Sequence, residues 1–358
     1  MACKSETPEL LICAVGNTMI QRFFHTWERR LVAVTTDRVV RPFEWGLDWV
    51  DDADHSLAPG EALRAWASRA VSDSDRFYRT ESIDTTDFTL RGDEVSFPSP
   101  FKTPHHENNT VRARYFQADQ PSNAPKRAVV VLPQWNADPG GHIGLSQLIA
   151  KFGISAIRLS LPYHDNRMPT ELHRADYIVS ANVGRTVQVC RQAVLDTRRT
   201  IDWLITQGYE QIGLLGTSLG SCLAMLTAAH DPRISVVALN HISPYFADVV
   251  WDGLSTAHVR QGFGNAIDLE LLRQIWLPIS PAPFLERMRG KQTLLVYARH
   301  DLSFPVKLSQ QLVSDFRARG FNPKVFVLPC GHYSTGKAPF SWIDGFVLIR
   351  FLRRAFGI

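Results

Sequence analysis

The feature that most constrains how this chain can fold is a series of short, continuous apolar runs separated by amphipathic helical patterns. Ala128–Leu132 reads Ala-Val-Val-Val-Leu, with none of the polar alternation of a half-exposed strand. A strand covered on both faces has this composition. Ile154–Leu161, Ile212–Leu215, Ile234–Leu239, Thr293–Ala298 and Lys324–Leu328 follow in the same manner. The clearest helical pattern between them runs from Val183 to Ile205. It carries Val183, Val187, Cys190, Val194, Ile201 and Leu204 on one face and stops at Gly208. Another uses Leu308, Leu312 and Phe316 and stops at Gly320. Strands alternating with helices predict an α/β fold with a largely parallel sheet and right-handed crossovers. Ahead of this series, Phe88–Phe97 and Val111–Phe116 alternate, with the turn chemistry of Pro98-Ser99-Pro100 and His105–Asn109 between them. They predict an antiparallel hairpin at the sheet edge.

Two regions stand apart from that series. Residues 1–86 show no strong strand pattern, while Met19–Val34 and Pro59–Ser72 look helical. They predict a helical N-terminal extension, with residues 87–358 forming the main domain. Residues of about 243–290 form a long insertion between two of the strands, rich in aromatics (Tyr245, Phe246, Trp251, Phe263, Trp276 and Phe284). An insertion of this kind is expected to form a lid. Its aromatics either line an apolar pocket or pack the insertion onto the domain.

Composition excludes several classes. The net charge is +4 over 358 residues with no dense Lys/Arg block, so no nucleic-acid partner is expected. The five cysteines (Cys3, Cys13, Cys190, Cys222 and Cys330) are odd in number and hold no C-x-x-C pair, which argues against a disulfide framework or a zinc knuckle and fits a reducing compartment. The early apolar run Leu10–Val15 is too short for a signal h-region, and no stretch approaches a membrane span. The expected compartment is the cytoplasm.

The chemistry-bearing residues lie at strand ends. The run Ile212–Leu215 leads straight into Gly216-Thr217-Ser218-Leu219-Gly220, and a helix of small and apolar residues follows. A strand-to-helix reversal this tight presents Ser218 at the carboxyl edge of the sheet and leaves the N–H of Leu219 at a helix N-terminus, where it can face an oxyanion. A serine hydroxyl also needs a base and an orienting carboxylate. Asp301 follows the strand Thr293–Ala298, and His332 follows Lys324–Leu328 in Pro329-Cys330-Gly331-His332. The order Ser, Asp, His is the one this arrangement takes. A second oxyanion donor is expected from Pro133-Gln134-Trp135-Asn136, with the N–H of Trp135 first and that of Gln134 second. Tyr163 and His164, at the end of another strand, and Trp251 in the insertion are candidate substrate contacts. His142, His230 and His241 read as structural, and His300 is expected to point away from the site. No H-E-x-x-H, zinc-ligand spacing or G-x-x-x-x-G-K occurs, so neither a metal nor another cofactor is expected.

On Gly216–Gly220, Ala298-Arg299-His300-Asp301 and Cys330-Gly331-His332, residues from about 88 to 358 resemble the α/β-hydrolase superfamily. The chain looks like its esterase-like members near the dienelactone hydrolases and the acyl-peptidase group, and Leu161–Pro169 is similar to a segment of one such group. The resemblance implies an eight-stranded, mostly parallel sheet flanked by helices, and a Ser-Asp-His triad. It departs from the common pattern where Pro133-Gln134 stand in place of His-Gly. The expected activity is that of a serine hydrolase cleaving a carboxylic ester through an acyl-enzyme on Ser218, acting on a small-molecule ester or acyl substrate. The alternatives are a thioesterase, peptidase or acyltransferase with the same triad, or a non-catalytic binding protein on the same fold.

Overall fold

The computed structural model describes residues 8–81, 84–121 and 123–358. One sheet of nine strands runs through it: β1 (Thr89–Arg91), β2 (Glu94–Pro98), β3 (Thr110–Phe116), β4 (Arg127–Leu132), β5 (Ser155–Leu159), β6 (Gln211–Thr217), β7 (Ile234–Asn240), β8 (Gln292–Ala298) and β9 (Lys324–Leu328). Their spatial order is β1-β2-β3-β5-β4-β6-β7-β8-β9. The pairings β1–β2, β2–β3 and β3–β5 are antiparallel. The pairings from β5 through β4, β6, β7 and β8 to β9 are all parallel. The mostly parallel α/β sheet is therefore as the sequence predicts, with one strand more than the eight expected. The extra strand arises because Phe88–Phe97 is not one strand. Gly92, at φ +61°, turns the chain back on itself and splits the segment into β1 and β2.

Side-chain alternation along each strand divides the interior in two. Ala128, Val130 and Leu132 of β4 face one core, together with Leu214 of β6 and Val237 and Leu239 of β7. Val129 and Val131 face the other, together with Leu215, Val236 and Ala238. The helices Val183–Thr206 and Leu219–His230 cover the first face, and Ile143–Lys151 and Phe340–Ala355 cover the second. Apolar residues on both faces of every central strand are what a sheet with helices on both sides requires.

The helix Val183–Thr206 is buried almost all round, well beyond its predicted apolar face. Its outer side meets the N-terminal segment: Arg191, Arg198 and Arg199 donate to the carbonyls of Phe77, Tyr78 and Glu81. Residues 59–72 form the helix expected, and this helix packs on Leu269–Ile275. The other N-terminal helix runs from Pro8 to Ala33, longer than the Met19–Val34 pattern. Among the described residues no helix is long and apolar enough to cross a membrane. Cys190, Cys222 and Cys330 are free and buried. Cys3 lies outside the described residues, as do the side chains of Cys13 and the apolar run Leu10–Val15.

The insertion folds as the helices Phe246–Asp252, Ala257–Phe263 and Leu269–Ile275 with short 3-10 turns. Phe246, Phe263, Trp276 and Phe284 are buried in the main core. Trp251 lies between Arg260 and Phe263.

A fully buried ion pair fixes the loop after β5. Arg167 bonds Asp196 of the helix Val183–Thr206 at 2.8 Å and also donates to the carbonyls of Asn108 and Ser160. The second oxygen of Asp196 accepts from Ser99 Oγ at 2.6 Å. Removing one partner leaves the other charge uncompensated in the interior, which costs about 3–5 kcal/mol. Asp196→Ala is therefore expected to lose that much stability in urea unfolding followed by circular dichroism. A loss of less than about 1 kcal/mol would show that water reaches Arg167.

Candidate active site

The strand β6 runs directly into the helix Leu219–His230 through Ser218, whose backbone sits at φ 56° and ψ −120°. Glycine is required on both sides of this turn. A Cβ on Gly216 would lie 2.2 Å from the carbonyl oxygen of Gly220, and one on Gly220 would lie 2.2 Å from that of Leu132. The turn thus presses β6, the helix start and the end of β4 together. The N–H of Ser218 is used by the carbonyl of Asn240, at 2.7 Å. That of Leu219 opens the helix and so has no intrahelical acceptor.

Ser218, Asp301 and His332 meet at the carboxyl edge of the sheet. His332 Nε2 lies 3.1 Å from Ser218 Oγ, and His332 Nδ1 lies 2.9 Å from Asp301 Oδ2. The imidazole stacks on Phe304, with ring centroids 5.3 Å apart and planes within 3°. Asp301 Oδ1 accepts the N–H groups of Ser303 and Phe304 at 2.8 and 2.7 Å. Burial opposes the charge on Asp301, but His332 and the hydrogen bonds from His241 and His332 outweigh it and hold the carboxyl far below its ordinary range. Burial likewise opposes protonation of His332. The charge and hydrogen bond of Asp301, with the charge of Glu28, reverse that and raise its pKa above the usual histidine value.

His241, read from sequence as structural, belongs to this cluster. Its Nδ1 lies 2.9 Å from the same Asp301 Oδ2, and its ring centroid is 4.5 Å from that of His332. The sequence did hold a signal for it, because His241 stands just past the carboxyl end of β7, on the edge where Ser218 lies. His241, Asp301 and His332 offer three ligand-type atoms within 4.8 Å of one another. Both ring nitrogens here address a single carboxylate oxygen at hydrogen-bond length, so the trio forms a hydrogen-bonded cluster that extends to Ser218.

The cluster opens into a cleft of about 810 Å³. Its walls include Gln134 to Asp138, His142, His164, Thr217, His241, Tyr333 and, from the N-terminal segment, Thr35, Asp37 and Arg38. Gln134 and Trp135 lie among its walls, and neither of their N–H groups donates to another group among the described residues. Their loop is clamped from several sides. Trp135 Nε1 donates to the carbonyl of Ala175, Asn136 Oδ1 accepts from Ala175 N, and Asn136 N donates to His164 Nε2 at 2.9 Å. Arg158, missed from sequence inside the run Ile154–Leu161, is almost wholly buried and donates to the carbonyls of Asp138 and Gly141. It also pairs with Asp165.

The three candidate substrate contacts fare differently. His164 lines the cleft, but both ring nitrogens are engaged, Nδ1 with the carbonyl of Pro162 and Nε2 with Asn136 N. Burial lowers its pKa to about 4, so it fastens the loop as a neutral ring. Tyr163 is fully buried with its hydroxyl 2.9 Å from His105 Nδ1, away from the cleft walls. Trp251 is likewise away from them, and from residues 243–290 only Ser255 reaches the cleft. Phe246, Phe263, Trp276 and Phe284 of the insertion instead pack into the core, where their apolar surface is removed from water. His142, also read as structural, does line the cleft, bonded through Nε2 to Thr217 Oγ1 at 3.0 Å. His230 bonds the carbonyl of Leu226, and His300 stacks on Phe24.

The family model for "Alpha/beta hydrolase domain containing 18" matches residues 82–259. That stretch contains Ser218 and His241 and ends before Asp301 and His332. No curated protein matches the chain in sequence. Among solved structures, the chain is similar to an acylaminoacyl peptidase of Pyrococcus horikoshii, with a TM-score of 0.58 and 12% identity over 75% of this chain and 42% of that one. It therefore spans less than half the length of that peptidase. A lipase in its open form matches with a TM-score of 0.52 and 13% identity, over 72% of this chain and 98% of that one. Acetyl xylan esterase 1 from Thermoanaerobacterium sp. matches with a TM-score of 0.52 and 14% identity, over 81% of this chain and 94% of that one. Identities this low speak for the fold alone. Sheet order, the strand-Ser218-helix turn and the family match together place the chain in the α/β-hydrolase superfamily.

Proposed function

We propose that the protein is a serine hydrolase that cleaves a carboxylic ester through an acyl-enzyme on Ser218. The observation that carries this reading is the unbroken hydrogen-bonded line from Ser218 Oγ through His332 to the buried carboxylate of Asp301. In this mechanism His332 Nε2 takes the proton of Ser218 as Oγ attacks the acyl carbon. Asp301 holds the proton of His332 on Nδ1 and stabilises the imidazolium that forms. The N–H of Leu219 and one N–H of the Gln134–Trp135 pair bind the oxyanion, each about 3 Å from where it develops. His332 then protonates the leaving alcohol, and a water repeats the sequence on the acyl-enzyme. These steps use side chains and backbone groups of this chain throughout. The same residues would serve a thioester or an amide. On this reading residues 1–86 are an extension to a hydrolase domain of residues 87–358. The insertion braces the body of that domain, while the N-terminal segment contributes to the cleft.

A chain-length series of p-nitrophenyl esters, with matched thioester and anilide substrates, tests the activity and its bond preference. Ester hydrolysis is expected, and Ser218→Ala should abolish it. Asp301→Asn should lower kcat on the order of 10⁴-fold, the loss seen when the orienting carboxylate of a serine protease becomes an amide. Wild-type rates in either variant would move the chemistry elsewhere.

The pH dependence follows from His332. It acts as a base only when neutral, and its pKa is raised, so activity is lost as pH falls through a value above the ordinary histidine value of about 6.5. The profile of kcat/KM should show one acidic limb above that value, and a limb below pH 6 would contradict the assignment of His332 as base.

A further inference from the structure

We propose that Glu28, on the N-terminal helix Pro8–Ala33, is a positioning residue that sets the place and proton affinity of His332. The proposal rests on His332 being the base of the reaction above. The side chain of Glu28 is wholly buried. Its Oε2 accepts the N–H of Tyr333 at 2.8 Å, and its Oε1 accepts the N–H and the Oγ–H of Ser334 at 2.9 and 2.7 Å. Ser334 Oγ in turn accepts the N–H of Gly331 at 2.8 Å. The residues on both sides of His332 are thus bonded to one carboxylate, directly or through one hydroxyl.

All three of its partners donate, so position 28 calls for a group that only accepts. A glutamine there would turn an amide N–H toward an N–H. The fit is mutual, because a Cβ on Gly331 would lie 2.3 Å from the carboxyl carbon of Glu28. The loop can bend around the carboxylate only with glycine at 331. A buried charge needs hydrogen bonds, and the His332 loop supplies them.

The same carboxylate adds to the field on the imidazole. Facing His332 are Asp301 from the end of β8, His241 from the end of β7, Glu28 from the N-terminal helix and Tyr333 beside it. The positive charges of Arg38 and Arg174 act on Tyr333. Glu28 and Asp301 both favour the imidazolium. A residue that served only to dock the helix would change stability and leave the titration of His332 alone.

Glu28→Gln in the full chain separates the two roles. The readouts are kcat/KM against pH on an activated ester and the imidazole titration of His332 by NMR, with the resonance assigned through His332→Gln. The expected result is a plateau lowered about tenfold through kcat, from misplacement of the base. The acidic limb and the imidazole pKa should both move down by roughly half a unit. Reduced thermal stability with the limb and the titration unmoved would overturn the proposal. If Glu28→Gln does not fold, Gly331→Ala decides: it keeps the charge but displaces the carboxylate. A tenfold fall in plateau kcat/KM supports the proposal and an unchanged value overturns it. The NMR titration reads His332 whether or not the chain hydrolyses any ester, so failure of the esterase reading would be seen separately.

Discussion

The structure of the site depends on one buried carboxylate. Asp301 is removed from water and must find its stabilisation inside the protein. It does so with four donors: the N–H groups of Ser303 and Phe304, and the rings of His241 and His332. These donors come from the loop after β8, the end of β7 and the loop after β9. Satisfying one charge therefore draws three strand ends into register. Ser218, at the end of β6, is held against the same group by the bond of its own N–H to Asn240, the residue before His241. A parallel sheet supplies this convergence, because all its strands end on one edge.

Most of the fold was legible because its signals are local. Continuous apolar runs marked β4 through β9, and the turn Gly216–Gly220 between a run and a helix marked the place of Ser218. Asp301 and His332 followed from strand order. What escaped were features set by tertiary contacts. Nothing within Phe88–Phe97 distinguishes one strand from two except Gly92. Arg158 lies within the run Ile154–Leu161, yet it clamps the loop that carries Trp135. Tyr163 and Trp251 lay at plausible places along the chain. Their direction was decided by the hydroxyl bond to His105 and by packing under Arg260. His241 could have been noticed at its strand end, but a partner 60 residues away cannot be read from spacing.

The N-terminal segment is where sequence said least and structure adds most. It closes over the helix Val183–Thr206, accepts hydrogen bonds from three arginines and reaches the cleft with Thr35, Asp37 and Arg38. A lone glutamate among helical aromatics carries no sequence signal, and Glu28 becomes intelligible only against the loop Gly331–Ser334. The insertion does the reverse. Of its aromatic residues, Phe246, Phe263, Trp276 and Phe284 pack into the core, and Ser255 is the residue of this segment that lines the cleft.

The central claim is that the hydroxyl of Ser218 is the nucleophile. The most direct measurement is incubation of the full chain with a fluorophosphonate, followed by intact-mass analysis and peptide mapping of the adduct. A single phosphonyl group on Ser218, absent from Ser218→Ala, is the predicted result. An adduct on any other residue, or labelling that persists in the alanine variant, would contradict it.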